Sequence, residues 1–176
     1  MLDNLIENFK RVKAFIFDID GVLTNGQVLV TEEGHMLRSM NIKDGYALQL
    51  AVKKGYNVAV ISGSVSKPCA ERLEYLGVRN VFMKVKDKEE ILAQFLLSNH
   101  LKWEETLFMG DDIPDLEVMK LVGLSACPAD AVPEIKAVST FISSINGGKG
   151  CVREVIEKVL KLNNDWAVEA AATSAL

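Results

Sequence analysis

The sequence predicts an α/β domain, a doubly wound parallel sheet with one small β-hairpin inserted after its first strand. Two patterns carry this. Short runs rich in Val, Ile and Phe alternate with longer stretches of helical periodicity, as βαβ units require. Three of those runs then end in polar, Gly-bearing segments. In open α/β sheets that C-terminal strand edge is where ligands bind. Strands are expected near 12–17, 57–62, 79–83, 106–110, 123–126 and 138–142. Helices are expected near 43–54, 66–76, 87–98, 113–120, 131–136 and 150–161.

The first run, Val12 to Phe17, stops abruptly at Asp18-Ile19-Asp20-Gly21. A short apolar run of this kind reads as a buried strand, and it delivers Asp18 and Asp20 to the sheet edge. Two acids held together are unfavourable unless a cation or proton sits between them. Hard oxygen ligands of this kind suit Mg²⁺, which binds one or two carboxylates and keeps water or phosphate as its other ligands. Asp20-Gly21 is also an ordinary turn pair, so the segment alone leaves a plain acidic loop open.

Two further runs bear on that choice. Val58 to Ile61 ends at Ser62-Gly63, where a hydroxyl, backbone N–H groups and the next helix N-terminus could hold phosphate oxygens. A Ser that merely caps the helix fits equally well. Leu107 to Met109 is followed by Gly110, Asp111, Asp112, Pro114 and Asp115. Pro fits the first turn of a helix, so helix capping explains Asp112 or Asp115. It does not explain Asp111, which comes almost directly off the strand. Lys84 and Lys86 lie just before the helix at 87–98 and Lys88 opens it; any of them could neutralise a phosphate or a carboxylate, although most lysines are simply solvated.

Residues 26–41 break the alternation. They read as two short strands around Glu32-Glu33-Gly34, a hairpin with a Gly-bearing turn. Placed between the first strand and first helix, it would stand over the carboxylates as a flap. It is too small to seal a site. Its apolar Val28, Val30, Met36 and Leu37 need cover that a neighbouring subunit could supply.

The chain has 176 residues, 49% of them hydrophobic, which suits one domain over about 1–162 and a loosely ordered tail over 163–176. A net charge of −4 favours neither nucleic acid nor an anionic membrane surface. An anionic substrate therefore needs a metal or specific Lys and Arg residues. Cys69, Cys127 and Cys151 are far apart and form no CxxC, so they read as buried small hydrophobes in a reducing compartment. With no signal peptide and no long apolar run in the sequence, the expected location is the cytoplasm.

These segments, in this order, resemble the haloacid dehalogenase (HAD) superfamily of phosphohydrolases. Asp18-Ile19-Asp20-Gly21-Val22-Leu23-Thr24 looks like its first motif and Ile61-Ser62-Gly63 its second. A lysine after the next strand matches the third, and Gly110-Asp111-Asp112-Ile113-Pro114-Asp115 the fourth. The hairpin in place of a cap, Lys43-Asp44-Gly45, and Gly147-Gly148-Lys149-Gly150-Cys151-Val152-Arg153-Glu154 are similar to the capless 3-deoxy-D-manno-octulosonate 8-phosphate (KDO 8-phosphate) phosphatase family. The resemblance implies a HAD-like fold and a homotetramer in which one subunit closes its neighbour's site. It implies Asp18 as nucleophile, Asp20 as acid–base, and Ser62 and Lys88 as phosphate-binding groups. Mg²⁺ would be held by Asp18, the Asp20 carbonyl and Asp111, with Asp112 and Asp115 supporting them. Gly63, Lys149 and Arg153 would meet the substrate, a phosphorylated eight-carbon or nine-carbon sugar acid. Two positions depart from the family pattern. Ser64 follows Gly63 where Arg is frequent, and Met83-Lys84-Val85 stands where Gly is frequent.

Other classes fit less well. A receiver-type signalling domain also joins acids, Ser or Thr, Lys and Mg²⁺ on a doubly wound sheet. Its phospho-accepting Asp, however, ends a later strand, and here the third strand ends at Met83-Lys84. A catalytically silent HAD-like oligomerisation module would not need both first-motif acids, and both are intact.

Overall fold

A computed structural model describes residues 2–166. Of the tail expected to be loosely ordered over 163–176, residues 163–166 are described, with the Tyr56 hydroxyl donating to Asp165 Oδ2 at 2.8 Å and Trp166 packed on the core, and the rest lies outside the described residues. In chain order the elements are α1 (Leu2–Arg11), β1 (Ala14–Phe17), β2 (Leu29–Val30), β3 (Met36–Leu37), α2 (Ile42–Lys53), β4 (Asn57–Ile61), α3 (Lys67–Tyr75) and β5 (Asn80–Phe82). They continue with α4 (Lys88–Ser98), β6 (Thr106–Met109), α5 (Leu116–Met119), β7 (Leu124–Cys127), α6 (Pro133–Val138), β8 (Phe141–Ile142) and α7 (Cys151–Leu162). Six strands form one parallel sheet in the order β5-β4-β1-β6-β7-β8, and β2 and β3 make a separate antiparallel pair.

Strand alternation builds two cores. In β1, Phe15 and Phe17 face one side of the sheet and Ala14 and Ile16 the other. The first side is covered by α1, α2, α3 and α7 through Phe9, Leu48, Leu73 and Val155. The second is covered by α4, α5 and α6 through Leu92, Val118 and Ile135. All four β1 side chains are fully buried. Burying each large one stabilises the fold by about 2 kcal/mol relative to exposure. That explains why the strand is apolar on both faces until Asp18.

The sheet order reverses at β1, with β4 on one side and β6 on the other. Phe17 is in register with Val60 and Met109, so the residues beyond the ends of these strands emerge side by side at the topological switch point.

Two expected boundaries moved. The single helix expected at 113–120 is a tight turn, Ile113–Asp115, followed by α5. Pro114 starts that turn, and the Asp115 carboxylate turns back to accept the N–H groups of Asp111 and Asp112. The strand expected at 138–142 shrinks to β8. α6 starts at Pro133 and keeps Val138, whose carbonyl accepts the Ser125 hydroxyl.

The glycine-rich segment before α7 packs on the loop that follows β1. The Gly148 N–H donates to the Val22 carbonyl at 2.9 Å, and the Cys151 thiol points at the same oxygen. The Gly147 N–H donates to Asp130 Oδ1 at 2.9 Å. Asp44, in the first turn of α2, is buried and accepts the Arg153 N–H at 2.7 Å, which fastens α7 to α2. Burial pushes the Asp44 carboxyl up to about 6. The Arg153 guanidinium lies against the rings of both Tyr46 and Trp166.

A Cβ at residue 147 would stand 1.8 Å from the Gly21 carbonyl oxygen. Gly147→Ala must therefore push the two loops apart, with an expected loss of about 1–3 kcal/mol, the usual range for overpacking. Urea unfolding monitored by circular dichroism checks this; an unchanged midpoint would mean the loops are not pinned together.

Candidate active site

Four strand ends converge on one cavity of about 300 Å³. β1 delivers Asp18 and Asp20, β4 delivers Ser62 and Gly63, the β5–α4 loop delivers Lys86 and the start of α4 Lys88, and β6 delivers Asp111 and Asp112. The Asp18 N–H donates to the Met109 carbonyl, and the Ser62 N–H to that of Phe82, so the sheet ladder continues into the site.

Backbone form explains the glycines here. Gly21 has φ +86°, a left-handed conformation that side chains disfavour. A Cβ there would collide with the Asp111 carboxylate, 1.9 Å from Oδ2. Likewise a Cβ at Gly110 would overlap Asp115. Both glycines leave room for a neighbouring acid.

Asp18, Asp111 and Asp115 offer oxygens that all lie within 4.8 Å of one another. Lys88, itself buried, bridges two of them, at 2.6 Å from Asp115 Oδ1 and 3.1 Å from Asp18 Oδ2. Burial opposes the Lys88 charge, but Asp115 and Asp18 outweigh it and hold the ammonium above its ordinary range. One cation among three acids leaves negative charge in excess. Burial, reinforced by Asp115, pushes Asp18 up to about 6. Burial, with Asp115 and then Asp18, pushes Asp111 up to about 8.

Asp18 Oδ1 and Asp111 Oδ1 are buried and have no hydrogen-bond partner. Buried carboxylate oxygens are costly without one. Two such oxygens, on adjacent strand ends in a negative site, suit a hard divalent cation. The residues present therefore fit Mg²⁺.

Asp115 stands behind this pair, holding the Asp111 backbone N–H at 3.1 Å and Lys88 through its other oxygen. Asp112 caps the turn through the Ile113 N–H. The Ser62 hydroxyl is buried beside that of Ser64, at 3.1 Å. Geometry separates the three lysines. Lys88 reaches the carboxylates, and Lys86 lines the cavity without contacting them. Lys84 donates its backbone N–H to the Ser64 carbonyl and has φ +57°, so it holds a left-handed position where Gly would be unstrained. Lys149 and Arg153 lie outside this chain's own cavity. Arg153 is engaged by Glu157 and by the two aromatic rings.

Sequence reasoning missed Arg38. It follows β3 and pairs with Asp20 through both oxygens, Nε to Oδ1 at 2.7 Å and Nη2 to Oδ2 at 3.1 Å. Burial would raise the Asp20 carboxyl, but Arg38 wins and holds it below the usual range. The available signal was a lone cation at the foot of an otherwise apolar flap strand, standing over two acids.

Comparison with known proteins agrees with this geometry. The sequence profile of haloacid dehalogenase-like hydrolases matches residues 73–156. The 3-deoxy-D-manno-octulosonate 8-phosphate phosphatase KdsC of Yersinia pestis is 31% identical over 90% of this chain and 84% of its own length. The Escherichia coli K12 protein of the same name is 31% identical over 89% of this chain and 84% of its own. The crystal structure of the Yersinia pestis enzyme superposes with a TM-score of 0.91 at 30% identity, covering 98% of this chain and 91% of that one. The Moraxella catarrhalis enzyme, solved with magnesium, phosphate and KDO, gives 0.91 at 29% identity, covering 94% and 95%. The fold, the order of the strand-end acids and this degree of identity agree: the chain belongs to the KDO 8-phosphate phosphatase family of haloacid dehalogenase-like phosphatases.

Proposed function

We propose that this protein is a Mg²⁺-dependent phosphomonoesterase that converts KDO 8-phosphate to KDO and phosphate. The observation that carries the reading is the Asp18–Lys88–Asp115–Asp111 cluster at the sheet edge, with two partnerless carboxylate oxygens and with Asp20 two residues beyond Asp18. The relatives named above support the choice of substrate. Asp18, Asp111 and the Asp20 carbonyl would hold the ion. When bound, it offsets the repulsion between Asp18 and the phosphate dianion.

In this mechanism an Asp18 oxygen attacks phosphorus, forming an aspartyl-phosphate as the bond to the sugar oxygen breaks. Asp20 gives a proton to that oxygen. It then takes one from the water that attacks the aspartyl-phosphate, which releases phosphate and restores Asp18. Lys88, Ser62 and the Gly63 backbone bind the charge on the equatorial oxygens. Asp112 and Asp115 keep Asp111 in place.

The flap supports shared sites. Leu29, Val30, Met36 and Leu37 are all more than half exposed, and a two-stranded hairpin is marginal alone. In a homotetramer these residues gain cover, and Lys149 and Arg153 serve a neighbour's cavity rather than their own. Deleting residues 27–40 should therefore lower both assembly and turnover, measured by light scattering and phosphate release. A fully active monomer would sink the shared-site reading.

Phosphate release with Mg²⁺ from KDO 8-phosphate, a nine-carbon sugar acid phosphate, a hexose phosphate and p-nitrophenyl phosphate tests the substrate. The expected result is the highest kcat/KM on KDO 8-phosphate. A preference for the nine-carbon acid would move the protein to the sister activity. Asp18→Asn should abolish turnover on every substrate with the circular dichroism spectrum unchanged.

The metal assignment has its own test. Asp111 and Asp18 are raised from 3.8 to about 8 and about 6. A carboxyl raised on folding contributes stability that is complete below about pH 4 and is lost as pH rises through its folded value. Metal-free protein should thus show a Tm that falls between about pH 4 and pH 8, and saturating Mg²⁺ should raise Tm and flatten the slope. A flat profile in chelator would contradict the cation site.

A further inference from the structure

Asp20 has both carboxylate oxygens engaged. Arg38 takes Oδ1 and Oδ2 in a forked pair, and Thr24 Oγ1 stands 3.4 Å from Oδ1. Each oxygen keeps a further lone pair, but the forked pair fixes the orientation of the carboxylate and competes for both oxygens with a departing sugar oxygen or an attacking water. The Arg38 side chain is only 9% exposed, so this is a built contact. The hairpin sets it. Arg38 follows β3 directly, and Met40 bridges back to Thr24 at the end of the catalytic loop. For Asp20 to act as the acid–base group of the proposed reaction, this pair has to part.

The guanidinium fork limits what can part it. It matches a second carboxylate in shape and charge, so exchanging one carboxylate for another is nearly even in energy. A neutral hydroxyl offers no such exchange. The described cavity lining holds two cations: Lys88 is occupied by Asp18 and Asp115, and Lys86 contacts no carboxylate there, whereas Arg38 reaches Asp20 from the flap. Arg38 is therefore the cation whose release also frees an acid–base group.

We propose that Arg38 is a latch on Asp20 that the substrate's own carboxylate opens, the guanidinium passing from Asp20 to the sugar acid. Arg38 then decides which phosphomonoesters turn over well. This rests on the reading of the substrate as a phosphorylated sugar acid. A neutral sugar phosphate binds at the metal and at Lys88 but leaves Asp20 held.

Steady-state kinetics on the full chain with Mg²⁺ test this, comparing wild type, Arg38→Met and Arg38→Lys on KDO 8-phosphate and on glucose 6-phosphate. In Arg38→Met, kcat/KM for KDO 8-phosphate should fall about 10–100-fold, chiefly through KM, the range for losing a charge-assisted bond. In the same variant kcat for glucose 6-phosphate should rise, because Asp20 is no longer held. Arg38→Lys keeps the charge without the fork and should fall between, and it preserves the test if the Met variant is unstable. Equal losses on both substrates would show a structural role and overturn the latch. So would an unchanged ratio between the substrates. A wild type with no preference for KDO 8-phosphate would instead overturn the substrate reading, and the direction of change on glucose 6-phosphate would still decide the latch.

Discussion

The site is organised around too much negative charge in too little water. Asp18, Asp111 and Asp115 come together because three backbone paths, the ends of β1 and β6 and the turn after β6, leave them no alternative. Lys88 compensates part of that charge from within the protein. It enters from α4 on the far side of the sheet, with Asp87 capping the helix through the Glu90 N–H so that its first residue points inward. A buried ammonium between two carboxylates is stable only while both stay in place. The same contact therefore ties α4, β1 and the turn before α5 together, and any distortion of one is felt by the others.

The remaining charge makes the fold and the chemistry depend on each other. A fully neutralised cluster would be more stable and would have no affinity for a cation. A less buried cluster would be hydrated and would not hold its oxygens close. The protein sits between these limits, as sites that trade stability for chemistry do. The glycines at 21 and 110 belong to this compromise, since each gives up side-chain packing so that an acid can approach.

Much of this was legible in the sequence because it depends on chain order. A buried strand must end somewhere, and the residues just past its end must lie on the sheet edge. Asp18, Ser62 and Asp111 could thus be placed together from chain order alone. Position at a helix start singles out Lys88 over Lys84 and Lys86, and it is Lys88 that meets the carboxylates. Arg38 was not legible, because its contact depends on the angle at which a two-residue hairpin leans over the site, which no local pattern specifies. The packing roles of Lys43-Asp44-Gly45 and the glycine-rich segment were hidden for a related reason. In sequence they are only motifs shared with a family, yet Asp44 commits its carboxylate to the α7 N-terminus and Gly147 lies against the loop after β1. Such packing between distant segments leaves no local trace. The α6–β8 boundary moved because Val138 suits either state.

The brace on the catalytic loop also bears on when the enzyme can first exist. Val22 and Cys151 are 129 positions apart, and the contact between them closes the loop that carries Asp20. A chain emerging from the ribosome exposes Asp18 and Asp20 long before the segment that clasps their loop. Contacts this distant in sequence form late and slowly. The nascent protein is thus expected to lack a formed site until α7 has been made and docks.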